Sequence, residues 1–432
     1  MRKGLKYGLI LLATCALFAG CRRASLIPEG EPHPGERIYT GCIPENPDEI
    51  VRLYIDLPNA QDPSNIRKEF WTHNATLHID ATVDGVTSTV YKSEGVKIKG
   101  HGNSTWRSYP KKPYTVKLPV QANFIGTGKT KRWVLLANWM DRTCIRNDVA
   151  FEAARQTSLT WVSSGTYVEL YLNGNYNGLY FLCEKVHAEG SNFTCDFLYS
   201  YDISDRTEHD FDTQHGHWKN ATQEGGIPVE LKFPDRDNYK PAEFAQILDR
   251  AKKTLYGVED VIMRGETPSS VLDLDSICDW YLINEVFNNS EAKFPKSTFY
   301  FYKDGKLYAG PVWDFDYGTF TPDNHGLSLK STLYYYQIWT HPEFKKHLIH
   351  RWNVIKPIFQ GMDSYIDRQA QLIRKAEARN HEMWPCYPNP LAEGADGKVN
   401  GDELLTFDQA IDRMKSSLAL RIEEMDTELN RL

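Results

Sequence analysis

Two aspartates two residues apart, Asp314 and Asp316, stand in the stretch GPVWDFDYGTF (Gly310 to Phe320) among apolar Val312, Trp313 and Phe315. A carboxylate buried by such neighbours is costly unless it meets a cation or several donors. Two of them at this spacing invite a divalent metal, which takes oxygen ligands. The pattern equally admits one aspartate satisfied by backbone amides and one facing water. The elements that position the pair are legible on their N-terminal side. STFYFYKDGKLYAG reads as two aromatic strands closing on a Lys303-Asp304-Gly305 turn. Before it, SICDWYLINEVF reads as a helix running into the loop NNSEAKFP. The aspartates therefore lie just past a hairpin with a buried end.

A second constellation lies in the first half, in IKGHGNSTW followed by KKPYTVKL. It is a strand, then a turn with Gly100, Gly102, Asn103, Ser104 and Thr105, then a strand from Lys111 to Leu118 carrying Lys112 and Lys117. Backbone amides of such a turn and an ammonium from the next strand can face one anion, which makes a phosphate cradle. An ordinary hairpin with solvated lysines has the same pattern. GTGKT at 126–130 is not a nucleotide loop, because the glycine required five residues before its GK is Asn123. Asp396-GKVNGDELLTF is not a calcium loop, because Lys398 and Phe407 fill its third and twelfth positions. His215 and His217 in DTQHGHW read as a polar surface loop before they read as metal ligands.

Around these motifs, Val51 to Ile55, Ala75 to Val83 and Val96 to Lys99 alternate as antiparallel strands do. CIRNDVAFEAARQTS reads as a helix capped by Asp141 or Thr143, with Glu152 off its core stripe. TYVELYLNGNYNGLYFLCEKV reads as a hairpin from which Glu184 and Lys185 emerge, and IPVELKF is a further strand ending near Asp235. HPEFKKHLIHRWNVI and Asp408 to Leu432 read as helices.

Residues 1–20 have a basic start (Arg2, Lys3, Lys6), an apolar run and the ending LFAG before Cys21, the pattern of a secretory signal. LFAGC resembles the lipobox of bacterial lipoproteins, which implies cleavage there and a lipid on Cys21. Arg22 to Asp48 reads as a flexible tether. The expected division is a signal peptide at 1–20, a tether at 21–48 and one unit at 49–430, split at about residue 185. The expected location is the cell envelope, lipid-anchored, with a membrane contact through Cys21. The formal net charge of −7 becomes three units more negative once the signal is removed. That balance argues against nucleic acid as a partner. Cys42, Cys144, Cys183, Cys195, Cys278 and Cys386 show no CxxC pairing, so a zinc cluster is not indicated.

Taken in order, IKGHGNSTW with KKPYTVKL, WVLLANWMDRTCIRNDVAFEAA, ELYLNGNYNGLYFLCEKV and NEVFNNSEAKFPKSTFYFYKDGKLYAGPVWDFDYG resemble the CotH kinase family over about Leu53 to Glu428. The resemblance implies an α+β, two-lobed protein-kinase-like fold, strand-rich in its N-terminal lobe and helix-rich in its C-terminal lobe. It implies ATP and Mg²⁺ as cofactors, and transfer of a phosphoryl group to serine or threonine of an extracytoplasmic protein. By the family's motifs, Gly100, Gly102, Asn103 and Ser104 would cover the phosphates and Lys117 or Lys112 would contact them. Glu152 would pair with the strand lysine, and Glu184 would sit at the crossover beside the adenine. Asp314 and Asp316 would hold the metal. The sequence departs from the family at Glu291, where an aspartate is usual for the catalytic base, and at Ser297-Thr298, where many members have an asparagine. A glutamate sets its carboxylate about 1 Å further out, and misplacement on that scale can cost two orders of magnitude in rate. A kinase-like module that binds a partner at the cell surface without turnover is the alternative.

Overall fold

The computed structural model describes residues 42–432 except 45–46, 126–128, 190, 192, 204–208, 219–222, 225, 323–325 and 387–399. Cys21, the signal and most of the tether lie outside the described residues. Among the described residues no helix is long and apolar enough to cross a membrane.

Seven strands open the chain: β1 (Val51–Asp56), β2 (Thr72–Val83), β3 (Val86–Gly100), β4 (Tyr114–Ala122), β5 (Thr130–Leu136), β6 (Gly165–Leu172) and β7 (Asn175–Glu184). They close into a barrel in the order β1-β2-β3-β4-β5-β7-β6. All neighbours are antiparallel except β1 and β6, which pair in parallel from Val51↔Val168 to Ile55↔Leu172. Alternation explains the interior. Leu53, Ile55, Ile79, Ile98, Trp133 and Leu170 point inward and are fully buried.

The two helices within this half are the short α1 (Ser104–Ser108) and α2 (Arg146–Arg155). A second sheet follows, ordered β14-β13-β8-β12-β9. Its members are β8 (Phe197–Tyr201), β9 (Phe211–Asp212), β12 (Pro228–Phe233), β13 (Thr298–Lys303) and β14 (Lys306–Ala309), and β10 (His217–Trp218) with β11 (Gln223–Glu224) form a separate small ribbon. The remaining helices are α3 (Pro241–Met263), α4 (Leu274–Val286), α5 (Ser290–Lys293), α6 (Tyr335–Ile338), α7 (Pro342–Gln360), α8 (Met362–Met383) and α9 (Phe407–Leu429). One core runs from α2 through the second sheet to α7, α8 and α9, and a second core fills the barrel.

The strand-rich first part and helix-rich second part are as expected from the sequence. The closed barrel is a correction to the kinase-like lobes, since a closed ring has no open edge. It closes because β1 has two partners, β2 and β6. His217 is also not in a surface loop: it is buried and stacks on Tyr336 with ring centroids 3.8 Å apart.

Lys111 is 1% exposed where the chain enters β4. Its ammonium donates to the carbonyls of Ala137, at 2.7 Å, and Leu179, and lies over the Tyr180 ring. Burial without a carboxylate partner pushes it down to about 7 from 10.5. Between these values the unfolded chain holds the proton and the folded chain does not, so stability rises with pH. Urea midpoints of wild type relative to Lys111→Met should therefore increase as the pH is raised from about 7 to 10.5. A flat difference across that window would contradict the assignment.

Candidate functional site

The stretch after β14 is set by its apolar residues. Trp313 stacks on Phe151 of α2, at 5.6 Å between ring centroids, and Phe315 meets Phe151 and Phe287 edge-on. The Phe315 N–H donates to Asn147 Oδ1 at 2.8 Å. With Trp313 and Phe315 fixed in the core, the alternate residues Asp314 and Asp316 are turned out of it and remain partly exposed. Asp314 takes φ +59°, and Asn288 and Ser297 in the facing loop take +52° and +46°. Left-handed backbone at non-glycine residues is strained and persists where the surroundings impose it.

The facing loop brings the third carboxylate. Asn289 caps α5, its Oδ1 accepting from Glu291 N at 3.0 Å and Ala292 N at 3.4 Å. Its Nδ2 donates to Asn284 Oδ1 and to the Asp314 carbonyl. Glu291 is pushed up to about 8, first by burial and then by the Asp314 charge, with Asp316 and Asp202 adding to it and Lys296 opposing. Asp316 is pushed up to about 7 by burial, then by Asp314 and Asp141. Asp314 is raised by burial and by Asp202, against hydrogen bonds from Ser297 and Glu291. Asp202, Glu291, Asp314 and Asp316 thus act on one another's charge.

A second, cationic group lies on the outer face of the barrel. Lys117 on β4 is opposite Lys97 on β3 and Arg132 on β5. The Lys185 N–H, just past β7, donates to the Arg132 carbonyl at 3.0 Å. Burial pushes Lys185 down to about 7, and the charges of Lys232, Arg132 and Lys99 add to this. Lys99 and Lys117 are likewise lowered, first by burial and then by Arg132. Like charges this close are destabilising unless an anion meets them; Arg132 is met by Asp235 at 2.5 Å and Lys232 by Glu230, whereas among the described residues no ion pair reaches Lys99, Lys117 or Lys185. The turn Gly100 to Ser104 borders the group. His101 lies within the fields of Lys185, Lys68 and Lys99, and the Asn103 side-chain oxygen accepts from Lys68. A Cβ at Gly100 would come within 2.7 Å of the Trp106 ring, and Gly102 has φ +74°. Ser104 opens α1 and is exposed.

The second sheet joins the two groups. Glu230 and Lys232 alternate on β12 and so share a face, and both act on Lys185. Glu230 is paired with Ser200 of β8, and Asp202 follows two residues on. That register places the Asp202 backbone about 8 Å from that of Glu230. One sheet face therefore leads from the cations to the carboxylates.

Three residues indicated by the sequence lie otherwise than the motifs imply. Glu152 accepts from Arg155 Nη2 at 2.8 Å and Gln156 Nε2 at 2.9 Å, and among the described residues no ion pair joins it to Lys117 or Lys112. The cause is local: Arg155 follows it by three residues on α2, within easy reach. Lys112 packs over Trp106 and donates to the Trp106 carbonyl at 2.6 Å, which turns it from the cationic group. Glu184 is buried and accepts from Ser164 N at 3.3 Å. It lines a cavity of about 210 Å³ with Arg155, Trp161 and Val162.

The sequence reading missed Asp202, Lys99, Arg132 and Lys232, which become neighbours only through strand pairing, and it placed Lys185 at the crossover without assigning it to a cationic group. It also missed Asn400, in the stretch rejected as a calcium loop. Asn400 is 1% exposed; its Oδ1 accepts from Gly318 N and Thr319 N, and its Nδ2 donates to the carbonyls of Asp316 and Met140. Asn400→Ala should cost about 1–3 kcal/mol by leaving these groups unpaired. Urea denaturation measures that loss, and an unchanged midpoint would show that the clamp is dispensable.

The arrangement defines a mixed α/β protein with a carboxylate centre and a cationic face beside it. The CotH kinase protein family model matches residues 96–424, and the chain belongs to that family. No curated protein matches the chain.

Proposed function

We propose that this chain is an envelope-anchored atypical protein kinase that binds ATP with Mg²⁺ and phosphorylates serine or threonine of an extracytoplasmic protein. The reading rests on one observation: Asp202, whose charge acts on Glu291 and Asp314, follows strand β8, and the paired strand β12 carries Glu230 and Lys232 beside Lys185. Asp314 and Asp316 would hold the metal, with the Asp202 charge acting on Asp314. When bound, Mg²⁺ would neutralise charge on phosphate oxygens. Lys117, Lys185 and Arg132 would hold the phosphates, and the Gly100 to Ser104 turn would cover them. Glu291, protonated or not, lies where it could orient an acceptor hydroxyl. Phosphoryl transfer asks mainly for positioning and charge neutralisation, which these residue types supply. The family membership supports a kinase-like activity in general. The LFAGC motif supports anchoring through Cys21 and an envelope location.

One observation favours the alternative, a kinase-like module that binds without turnover. Thr298 is 2% exposed and its hydroxyl donates to the Lys296 carbonyl at 3.1 Å, and it lacks the amide oxygen that an asparagine there would offer a second metal. Incubating the chain with γ-labelled ATP and envelope proteins separates the two. Label on a protein serine or threonine establishes the kinase; nucleotide binding without label establishes the binding module.

A further inference from the structure

The connections between the barrel and the second sheet carry a group of side chains that the proposed reaction does not use. His187 and Glu189 follow β7, and Asp235 follows β12. Each offers a donor atom within 4.8 Å of the other two. His187 is only 5% exposed, yet its Nε2 stands 3.7 Å from Asp235 Oδ2, beyond hydrogen-bond reach. Among the described residues its ring has no hydrogen-bond partner. The imidazole faces two carboxylates with no hydrogen bond to either.

We infer that His187, Glu189 and Asp235 form a second cation site, suited to a transition metal such as Zn²⁺ and separate from the carboxylate centre. Donors about 2.0–2.1 Å from a tetrahedral ion stand about 3.3 Å from one another, so the 3.7 Å gap between His187 and Asp235 closes with a shift of a few tenths of an ångström and the Glu189 side chain swings in by at most about 1.5 Å. Burial, followed by the charges of Arg132 and Lys185, pushes His187 down to about 3. A metal binds the neutral imidazole. Both carboxylates already have outer partners that orient them. Asp235 accepts from Arg132 Nη2 at 2.5 Å and from Asp237 N at 3.2 Å, and Glu189 accepts from Asn238. A nitrogen donor with only two carboxylates selects against Mg²⁺, which prefers an octahedron of oxygens. The Arg132 charge opposes the ion, so the site binds more weakly than a four-ligand structural zinc centre. Its occupation would staple the two crossings between barrel and sheet.

Co²⁺, a coloured stand-in for Zn²⁺, tests this on the full chain. One equivalent should give visible ligand-field bands that Zn²⁺ displaces and excess Mg²⁺ does not. His187→Ala should remove the bands, and Glu189→Gln should weaken binding at least about tenfold, the least that loss of a mere outer partner costs. Asp314→Ala should leave them unchanged, which keeps this site distinct from the carboxylate centre. Glu189 is half-exposed, so its variant folds even if the histidine variant does not. Absence of bands, or bands unaltered in Glu189→Gln, overturns the proposal.

Discussion

Asp314→Ala should abolish the stabilisation of the chain by ATP and Mg²⁺. At a nucleotide concentration a hundred times its dissociation constant, wild type should gain about 2.7 kcal/mol against unfolding, and the variant should gain nothing. The reason lies in the placement of the side chain. Asp314 is the member of the carboxylate centre whose charge is felt most by both Glu291 and Asp316, after burial. Its removal takes away the oxygen pair proposed to hold the metal and one cause of the raised Glu291. Phosphoryl transfer should fall by about 10²–10³, the loss seen when one preorganised charge-stabilising group is deleted. Thermal unfolding with and without Mg·ATP reads the first effect. A variant that still shifts as wild type does would remove Asp314 from the site.

Arg146→Met should destabilise the fold by about 3–5 kcal/mol, because it leaves two buried carboxylates without their cation. Arg146 is fully buried at the start of α2, and its guanidinium pairs with Asp141 and, at 2.5 Å, with Asp402. The same Asp141 accepts the Arg146 backbone N–H at 2.9 Å and the Thr143 N–H at 2.9 Å, so it also holds the start of the helix. Asp402 lies two residues from Asn400, which clamps the chain at Asp316 to Thr319. The ion triad thus ties α2, the C-terminal segment and the carboxylate centre together. Urea denaturation checks the figure. A loss below about 1 kcal/mol would mean that the triad is no more than a surface-grade contact.

What could be read from the sequence follows the range of the interactions. The placement of Asp314 and Asp316 was legible because Trp313 and Phe315 dictate it locally, through alternation between core and cleft. Glu291 was legible by motif, and its approach to Asp314 depends on Asn289 capping α5. Barrel closure was not legible, since period-two alternation is the same in an open and a closed sheet, and only the β1–β6 pairing distinguishes them. The cationic face was half read: Lys117 stood in a motif, whereas Lys99, Arg132, Lys185 and Lys232 come from four separate strands or their ends. Helix α3 was missed although its signal was present, with Pro241 in the first turn and Phe244, Ile247, Ala251, Leu255, Val258 and Ile262 at helical spacing. The local Glu152–Arg155 pair shows the opposite error, where a family role overrode a partner three residues away.

Calorimetric titration of ATP into the chain at fixed Mg²⁺ tests the central claim most directly. One site is predicted, weakened by salt, and weakened separately by Asp314→Ala at the carboxylate centre and by Lys185→Met at the cationic face. No heat of binding, or binding that neither substitution alters, would contradict the account.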